Sequence, residues 1–216
     1  MCYNGQYMTK EITMMEMLKA GVHFGHRKSK WNPKMEPYVF AIRNNIRIID
    51  LEQTEKKLKE ASEFVKKIVS QKGLILFIGT KRQVKEVIKK AAEKCGMPYI
   101  NERWLGGTFT NFKVILERIE KLLDMETKRE QAEFKKYTKK EQLKIDKEIE
   151  KLNKTMAGIK KIKELPQAVF ITDINQDKIA ITEARKKGIP IIALADTNTD
   201  PTLVDYPIPV SYTHLT

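Results

Sequence analysis

The first strong pattern along the chain is a helical one. Thr13 to Leu18 carries Thr13 and Glu16 at capping-box spacing ahead of Gly21, which predicts a short helix. A loop rich in His, Gly, Trp and Pro follows. Tyr38 to Ile42 and Ile46 to Ile49 are β-prone runs separated by Arg43, Asn44 and Asn45. Asn tolerates the positive φ of a tight hairpin turn, so these runs predict a hairpin. After Asp50, a candidate N-cap, Leu51, Leu58, Ala61, Val65, Ile68 and Val69 fall on one side of a helix that stops before Gly73.

The pattern then changes period. Leu74 to Ile78 is a continuous apolar run of strand length, Gly79-Thr80 is a turn, Val84 to Cys95 is an amphipathic helix closed by Gly96, and Met97 to Ile100 returns to strand. The same order recurs at Ala168 to Thr172, the turn at Asp173, the helix Lys178 to Lys187 with Gly188 as its cap, and the strand Ile191 to Ala195. Two such units predict a parallel sheet with helices on both faces, because a parallel crossover needs a long, right-handed, usually helical connection. Between them, Phe112, Ile115, Ile119 and Leu122, then Ile145, Ile149, Leu152, Met156 and Ile159, step by three and four residues. Thr138 and Glu141 repeat the capping box. The insertion therefore reads as an antiparallel helical hairpin, a short coiled-coil arm with its tip near Phe134 to Thr138.

Length and charge narrow the class of protein. At 216 residues the chain can bury a sizeable core without disulfides or metal, and its two cysteines, Cys2 and Cys95, make neither a disulfide framework nor a metal spacing. Cys95 reads as a small core residue in a protein of a reducing compartment. The longest unbroken aliphatic or aromatic run is Leu74 to Ile78, far below the roughly 20 residues of a membrane span, and the first ten residues hold no secretory apolar region, so the expectation is a cytoplasmic protein. The net charge of +13 suits a polyanionic partner. Residues 25–49 concentrate it, with six basic residues against Glu36, whereas 113–164 mixes 16 basic with 11 acidic residues as a solvated helical face does.

Candidate chemistry is sparse. Gly79-Thr80-Lys81-Arg82 stands where a strand opens toward a helix, yet it matches neither GxxxxGK[ST] nor GxGxxG. A basic helix start that touches a phosphate backbone or stands in solvent is preferred to a nucleotide site. Asp173 and Asp196 lie just past strand ends and read as a helix cap and a turn residue, with a strand-end catalytic site as the alternative. His23 and His26 are three residues apart, and with Asp196 they are candidate metal ligands. No nearby Cys or Glu completes a familiar zinc spacing, and RNA contact or loop packing is preferred. Arg27, Lys28, Lys30, Trp31, Lys34 and Arg43 supply the guanidinium, ammonium and aromatic groups that pair with phosphate or stack on unpaired bases. Trp104 reads equally as a core anchor or a stacking platform.

Val22-His23-Phe24-Gly25-His26, Trp31-Asn32-Pro33-Lys34-Met35, Gly79-Thr80-Lys81, Arg103-Trp104-Leu105-Gly106-Gly107-Thr108 with Thr110-Asn111, and Asp196-Thr197-Asn198 with Asp200-Pro201 occur in this order. Together they closely resemble the bacterial and organellar ribosomal protein S-two family of the small subunit, from about Met8 to Pro209. The resemblance implies a flavodoxin-like doubly wound α/β domain over 8–108 and 164–209 with a helical arm over 109–163. It further implies a structural, non-enzymatic role on the cytoplasmic ribosome. The implied partners are small-subunit ribosomal RNA, ribosomal protein S-one and neighbouring small-subunit proteins, with no membrane. The RNA-binding set expected is His23, His26, Arg27, Lys28, Lys30, Trp31, Lys34, Arg43, Lys81, Arg82, Arg103 and Asn111. No cofactor is expected; zinc in some family members uses an Asp matching Asp196 and an acidic pair that this sequence lacks. Residues 1–7 read as an N-terminal extension. After Pro209 the family pattern Gly-Asn-Asp-Asp and its closing helix are replaced by 210–216, an atypical tail and candidate scar, so the last strand is expected to lack cover and fray. The rival readings are an RNA-binding paralogue acting off the ribosome and a small α/β enzyme.

Overall fold

The computed structural model describes residues 12–131 and 138–211, apart from the Lys28 side chain. The expected 1–7 extension, the arm tip before Thr138 and the tail beyond Ser211 lie outside the described residues. Helix α1 (Met14–Lys19) carries the expected capping box of Thr13 and Glu16. The stretch expected to be only a loop contains strand β1 (Phe24–Arg27), which joins β2 (Val39–Arg43) and β3 (Ile46–Ile49) in an antiparallel sheet of order β1-β3-β2. Gly and His in β1 gave no period-two signal. Asn44 and Asn45 turn the β2–β3 hairpin at φ 50° and 60°. Asp50 caps α2 (Leu51–Ser70) through the amide of Glu52.

The body is a five-stranded parallel sheet of β4 (Ile75–Ile78), β5 (Tyr99–Ile100), β6 (Ala168–Ile171), β7 (Ile191–Ala195) and β8 (Tyr206–Pro209), in the order β5-β4-β6-β7-β8. Counted within this sheet the order is 2-1-3-4-5, the flavodoxin-like arrangement. Helix α3 (Lys85–Cys95) joins β4 to β5, and α6 (Lys178–Lys186) joins β6 to β7. The arm helices α4 (Phe112–Glu130) and α5 (Lys139–Met156) fill the β5-to-β6 connection. Gly96 ends α3 at φ 66°, a left-handed cap open to glycine. Among the described residues no helix is long and apolar enough to cross a membrane.

Alternation along the strands sorts two apolar layers. Leu76, Ile78, Val169, Ile171, Ile191 and Ala193 face α6 and the arm base, where Ala180, Ala184, Ile115, Ile119 and Met156 complete the larger core. Ile75, Ala168, Phe170, Ile192 and Ile208 face α2 through Ala61, Phe64, Val65 and Ile68. The last strand is therefore covered, contrary to expectation. Phe64 stacks on Tyr206 with centroids 4.3 Å apart, and the Thr54 hydroxyl donates to the Pro209 carbonyl at 2.6 Å. A helix that precedes the sheet in sequence lies over the strand that ends it. Pro207 and Pro209 also strip donors from this edge strand.

Two smaller expectations fail. Cys95 is exposed: it is the last residue of α3, and although it lies on the same helix face as the buried Ile88 and Ala92, burial stops one turn before it. Val69 is likewise exposed, at 45% of its surface, since only Ile68 of that pair reaches the sheet. The hairpin is tied to the body at its base: Phe109, Ile159 and Ile162 belong to the same apolar cluster as Leu76 and Val169. Further out, Lys121–Glu148 and Arg129–Asp146 pair α4 with α5.

Gly158 sets how the arm base meets the sheet. A Cβ there would lie 2.2 Å from the Tyr99 carbonyl oxygen, backbone that cannot give way cheaply. Gly158→Ala is expected to cost at least about 1–3 kcal/mol, as overpacking does, read as a lower denaturant midpoint. An unchanged midpoint would show that the arm base is not pinned against β5.

Candidate nucleic-acid interface

In a parallel sheet all strands end on one edge, and that edge collects Lys81, Arg82, Arg103, Asp173 and Asp196. β4 runs into Gly79-Thr80-Lys81-Arg82, β5 into Arg103, β6 into Thr172-Asp173, and β7 into Asp196 to Asp200. Three spacings of about 4.8 Å spread these four strand ends over roughly 14 Å. The small sheet docks at the β7 end, where the amide of Asn32 donates to the Thr197 carbonyl at 3.0 Å.

The joint is a buried carboxylate. Asp196 is fully buried, and its Oδ1 accepts from the Thr197 amide at 2.6 Å and pairs with His26 Nδ1 at 3.0 Å. The His26 amide donates to the Thr197 hydroxyl at 2.8 Å, and Ser211 Oγ lies 3.4 Å from Asp196 Oδ2. Gly25 fits because any Cβ would lie 2.4 Å from the Thr197 methyl. Asp196 is thus a structural node, more than the turn residue expected. His23 does not join it: its ring packs on Phe24 with centroids 3.9 Å apart. Among the described residues no three His, Cys, Asp or Glu side chains converge on a metal position. His26 and Asp196 are two ligands short of a tetrahedral zinc shell, and Asp196 is already occupied by protein donors, so the described residues do not fit a zinc ion.

The basic residues divide by what they already hold. Arg27, Lys30, Arg43, Arg82 and Arg103 are exposed and make no ion pair among the described residues, and Asn111 is exposed at the start of α4. Lys28 opens the 3-10 turn Lys28–Lys30. Lys34 is committed to Asp200 at 2.5 Å and to the Thr202 hydroxyl, and Lys81 lies 3.7 Å from Asp173. Trp31 is half-buried beneath the guanidinium of Arg47, whose carbon stands 3.4 Å from the ring centroid. Trp104 is a core anchor at 7% exposure, set edge-on against Phe109 at 4.9 Å.

Two buried acids escaped sequence reasoning. Glu183 of α6 accepts from Trp104 Nε1, from the amides of Gly107, Phe109 and Thr110, and from the Thr110 hydroxyl, at 2.8–3.2 Å. Burial pushes its pKa up, but these donors prevail and hold it below the usual range. This one carboxylate fixes the loop that carries Arg103. The donors lie 73–79 residues away in sequence, so no local signal marks it. Asp177 accepts from the Thr80 hydroxyl at 2.8 Å in the crevice between the β4 and β6 ends. Burial pushes it up to about 6 against the Thr80 hydrogen bond, and Asp173 adds to the rise. α3 begins only at Lys85, so its N-terminal amides do not meet the Gly79-Thr80 turn. That crevice is acidic and lacks a phosphate-binding helix start.

The fold and this edge define a basic flavodoxin-like α/β protein with a helical hairpin inserted after the second parallel strand. The family model described as "Ribosomal protein S2" matches residues 17–214. A curated relative, "Small ribosomal subunit protein uS2" of Bdellovibrio bacteriovorus, is 49% identical over 199 residues, covering 92% of this chain and 64% of the relative. The chain thus spans 64% of the length of the curated relative it matches. The chain belongs to the ribosomal protein S2 family.

The raised pKa of Asp177 gives a signed expectation. The folded state binds this proton more tightly than the unfolded chain, so the contribution is fully present below about pH 4 and is lost as pH rises through about 6. A shift from 3.8 to about 6 corresponds to a loss on the order of 3 kcal/mol. Asp177→Asn removes that titration. The difference in unfolding free energy between variant and parent, followed by denaturant titration from pH 4 to 7, should grow in the variant's favour; a difference independent of pH would contradict the assignment.

Proposed function

We infer that this chain is a structural, non-catalytic constituent of the small ribosomal subunit, working in the cytoplasm on the ribosome, where it binds ribosomal RNA. The observation that carries this reading is membership of the ribosomal protein S2 family, and Arg27, Lys30, Arg43, Arg82 and Arg103, exposed and without ion pairs among the described residues, support it. Donor-rich, cation-rich surfaces of this kind position a fold on phosphate backbone without reading base edges. Lys28, His23, His26, Trp31, Lys34, Lys81 and Asn111 belong to the same proposed surface. Membership of a ribosomal protein family favours the non-enzymatic reading over the enzyme one.

Docking of ribosomal protein S-one, and contact with neighbouring subunit proteins, is part of the proposal. Its support is the exposed apolar residues of the small sheet, with Phe40 and Ile42 of β2 at 76% and 51% and Phe24 of β1, on the face opposite Ile42, at 41%. Apolar groups on this scale on a basic protein mark a protein-facing surface more often than a bare one. In this reading the body is 8–108 with 164–209 and the arm is 109–163, with mixed charge along α4 and α5 for further RNA or protein contacts.

The tagged full chain should sediment with small subunits, whereas an off-ribosome paralogue would stay at the top of the gradient. Its binding to small-subunit RNA should weaken with salt, each phosphate contact adding about 0.7–0.9 to the log-log slope. Replacing Arg27, Lys28 and Lys30 by Ala should weaken binding and flatten that slope while changing stability by no more than about 0.5 kcal/mol per site. A flat salt response in the parent protein would overturn the electrostatic reading.

A further inference from the structure

Arg47 is the one buried Lys or Arg among the described residues, at 7% exposure. It sits in β3, paired with Ile42 of β2 and on the same face of the strand as the buried Ile49. Among the described residues no hydrogen bond or ion pair holds its guanidinium, and its Nε is occluded with no acceptor in reach. The indole Nε1 of Trp31, the ring beneath it, is in the same condition. The two Nη groups are not among the occluded atoms, so they are the part of the fork that an outside group can meet. A buried cation without a counter-charge costs several kcal/mol, and a fold keeps one where something supplies that charge.

Both side chains are donors only. The missing partner must therefore be an acceptor, and beside a guanidinium a negatively charged one. A phosphate oxygen fits better than an isolated carboxylate, because Arg27, Lys30 and Arg43 stand on the strands and loop around Arg47, exposed and unpaired, with Glu36 as the sole acid between residues 25 and 49. Such a cluster matches the repeated charges of a nucleic-acid backbone. We propose that the stacked pair Arg47 and Trp31 is a docking point for one RNA phosphate, with Arg47 forking onto its oxygens. This rests on the RNA-binding reading and adds to it a buried residue, where the other candidates are surface cations.

The test uses the full chain with a small-subunit ribosomal RNA transcript. Arg47→Met keeps an apolar stem over Trp31, so the free protein should melt at the same temperature or higher, since replacing an uncompensated buried charge by a hydrophobe is neutral or stabilising. RNA binding at fixed salt should fall at least about tenfold, with the slope reduced by about 0.7–0.9. Unchanged affinity and slope in Arg47→Met, with the parent still binding RNA in a salt-dependent way, would overturn this inference and leave the proposed function standing. The same result with loss of a protein partner from the subunit would mean a carboxylate docks there instead. Should the variant fail to fold, the parent decides: with 15N-labelled tryptophan, the Trp31 indole N–H resonance should shift on RNA addition. Inorganic phosphate alone should need far higher concentration per phosphate. No shift at saturating RNA, or equal potency of free phosphate, would overturn the proposal.

Discussion

The architecture depends on one buried charge at the end of β7. Asp196 is cut off from water, so it must be satisfied by protein donors, and those donors come from three places: its own turn through Thr197, the small sheet through His26, and the chain after β8 through Ser211. Removing any one leaves a desolvated carboxylate short of partners, which costs more than an ordinary lost hydrogen bond. The antiparallel sheet is thereby held on the same edge at which the parallel strands end. Without that joint the hairpin and its basic residues would be a short three-stranded sheet with little apolar area of its own.

The same device recurs at the other end of the edge. Glu183 gathers four N–H donors and a hydroxyl from the stretch Trp104 to Thr110, so a glycine-rich loop that would otherwise wander is tied to α6. The parallel sheet supplies a common edge, and buried acids fasten the loops to it. The exposed cations are then left free for an outside partner. Where a cation is already paired, as Lys34 is with Asp200, it belongs to this fastening and contributes less to the outer field.

Much of the fold was legible because its signals are local. The capping boxes at Thr13 and Thr138, the N-cap at Asp50, the Asn44-Asn45 turn and the contiguous strands β4, β6 and β7 are written within a few residues of where they act. The site was legible only as a list. Neither spacing nor composition says that Arg103, Lys81 and His26 share an edge, since strand order decides that. Glu183 gave no signal and Asp196 read as a turn residue, because the donors of Glu183 are 73–79 residues away and the His26 partner of Asp196 is 170 away. Arg47 was counted with the surface cations, although the alternation that buries Ile49 buries it as well. Cys95 and Val69 show the converse: an apolar type at a helix end gives no guarantee of burial. The cover over β8 was missed because α2 comes from the opposite end of the described chain.

The central claim is that the RNA-facing surface is assembled by the Asp196 joint. It is tested most directly by Asp196→Ala, a change that removes no basic residue. Amide exchange followed by mass spectrometry should keep protection in β4 and β6 and lose it in β1 and β3, and affinity for small-subunit RNA should fall in step. Full loss of protection in the small sheet with RNA affinity unchanged would contradict the account, as would retained protection at β1.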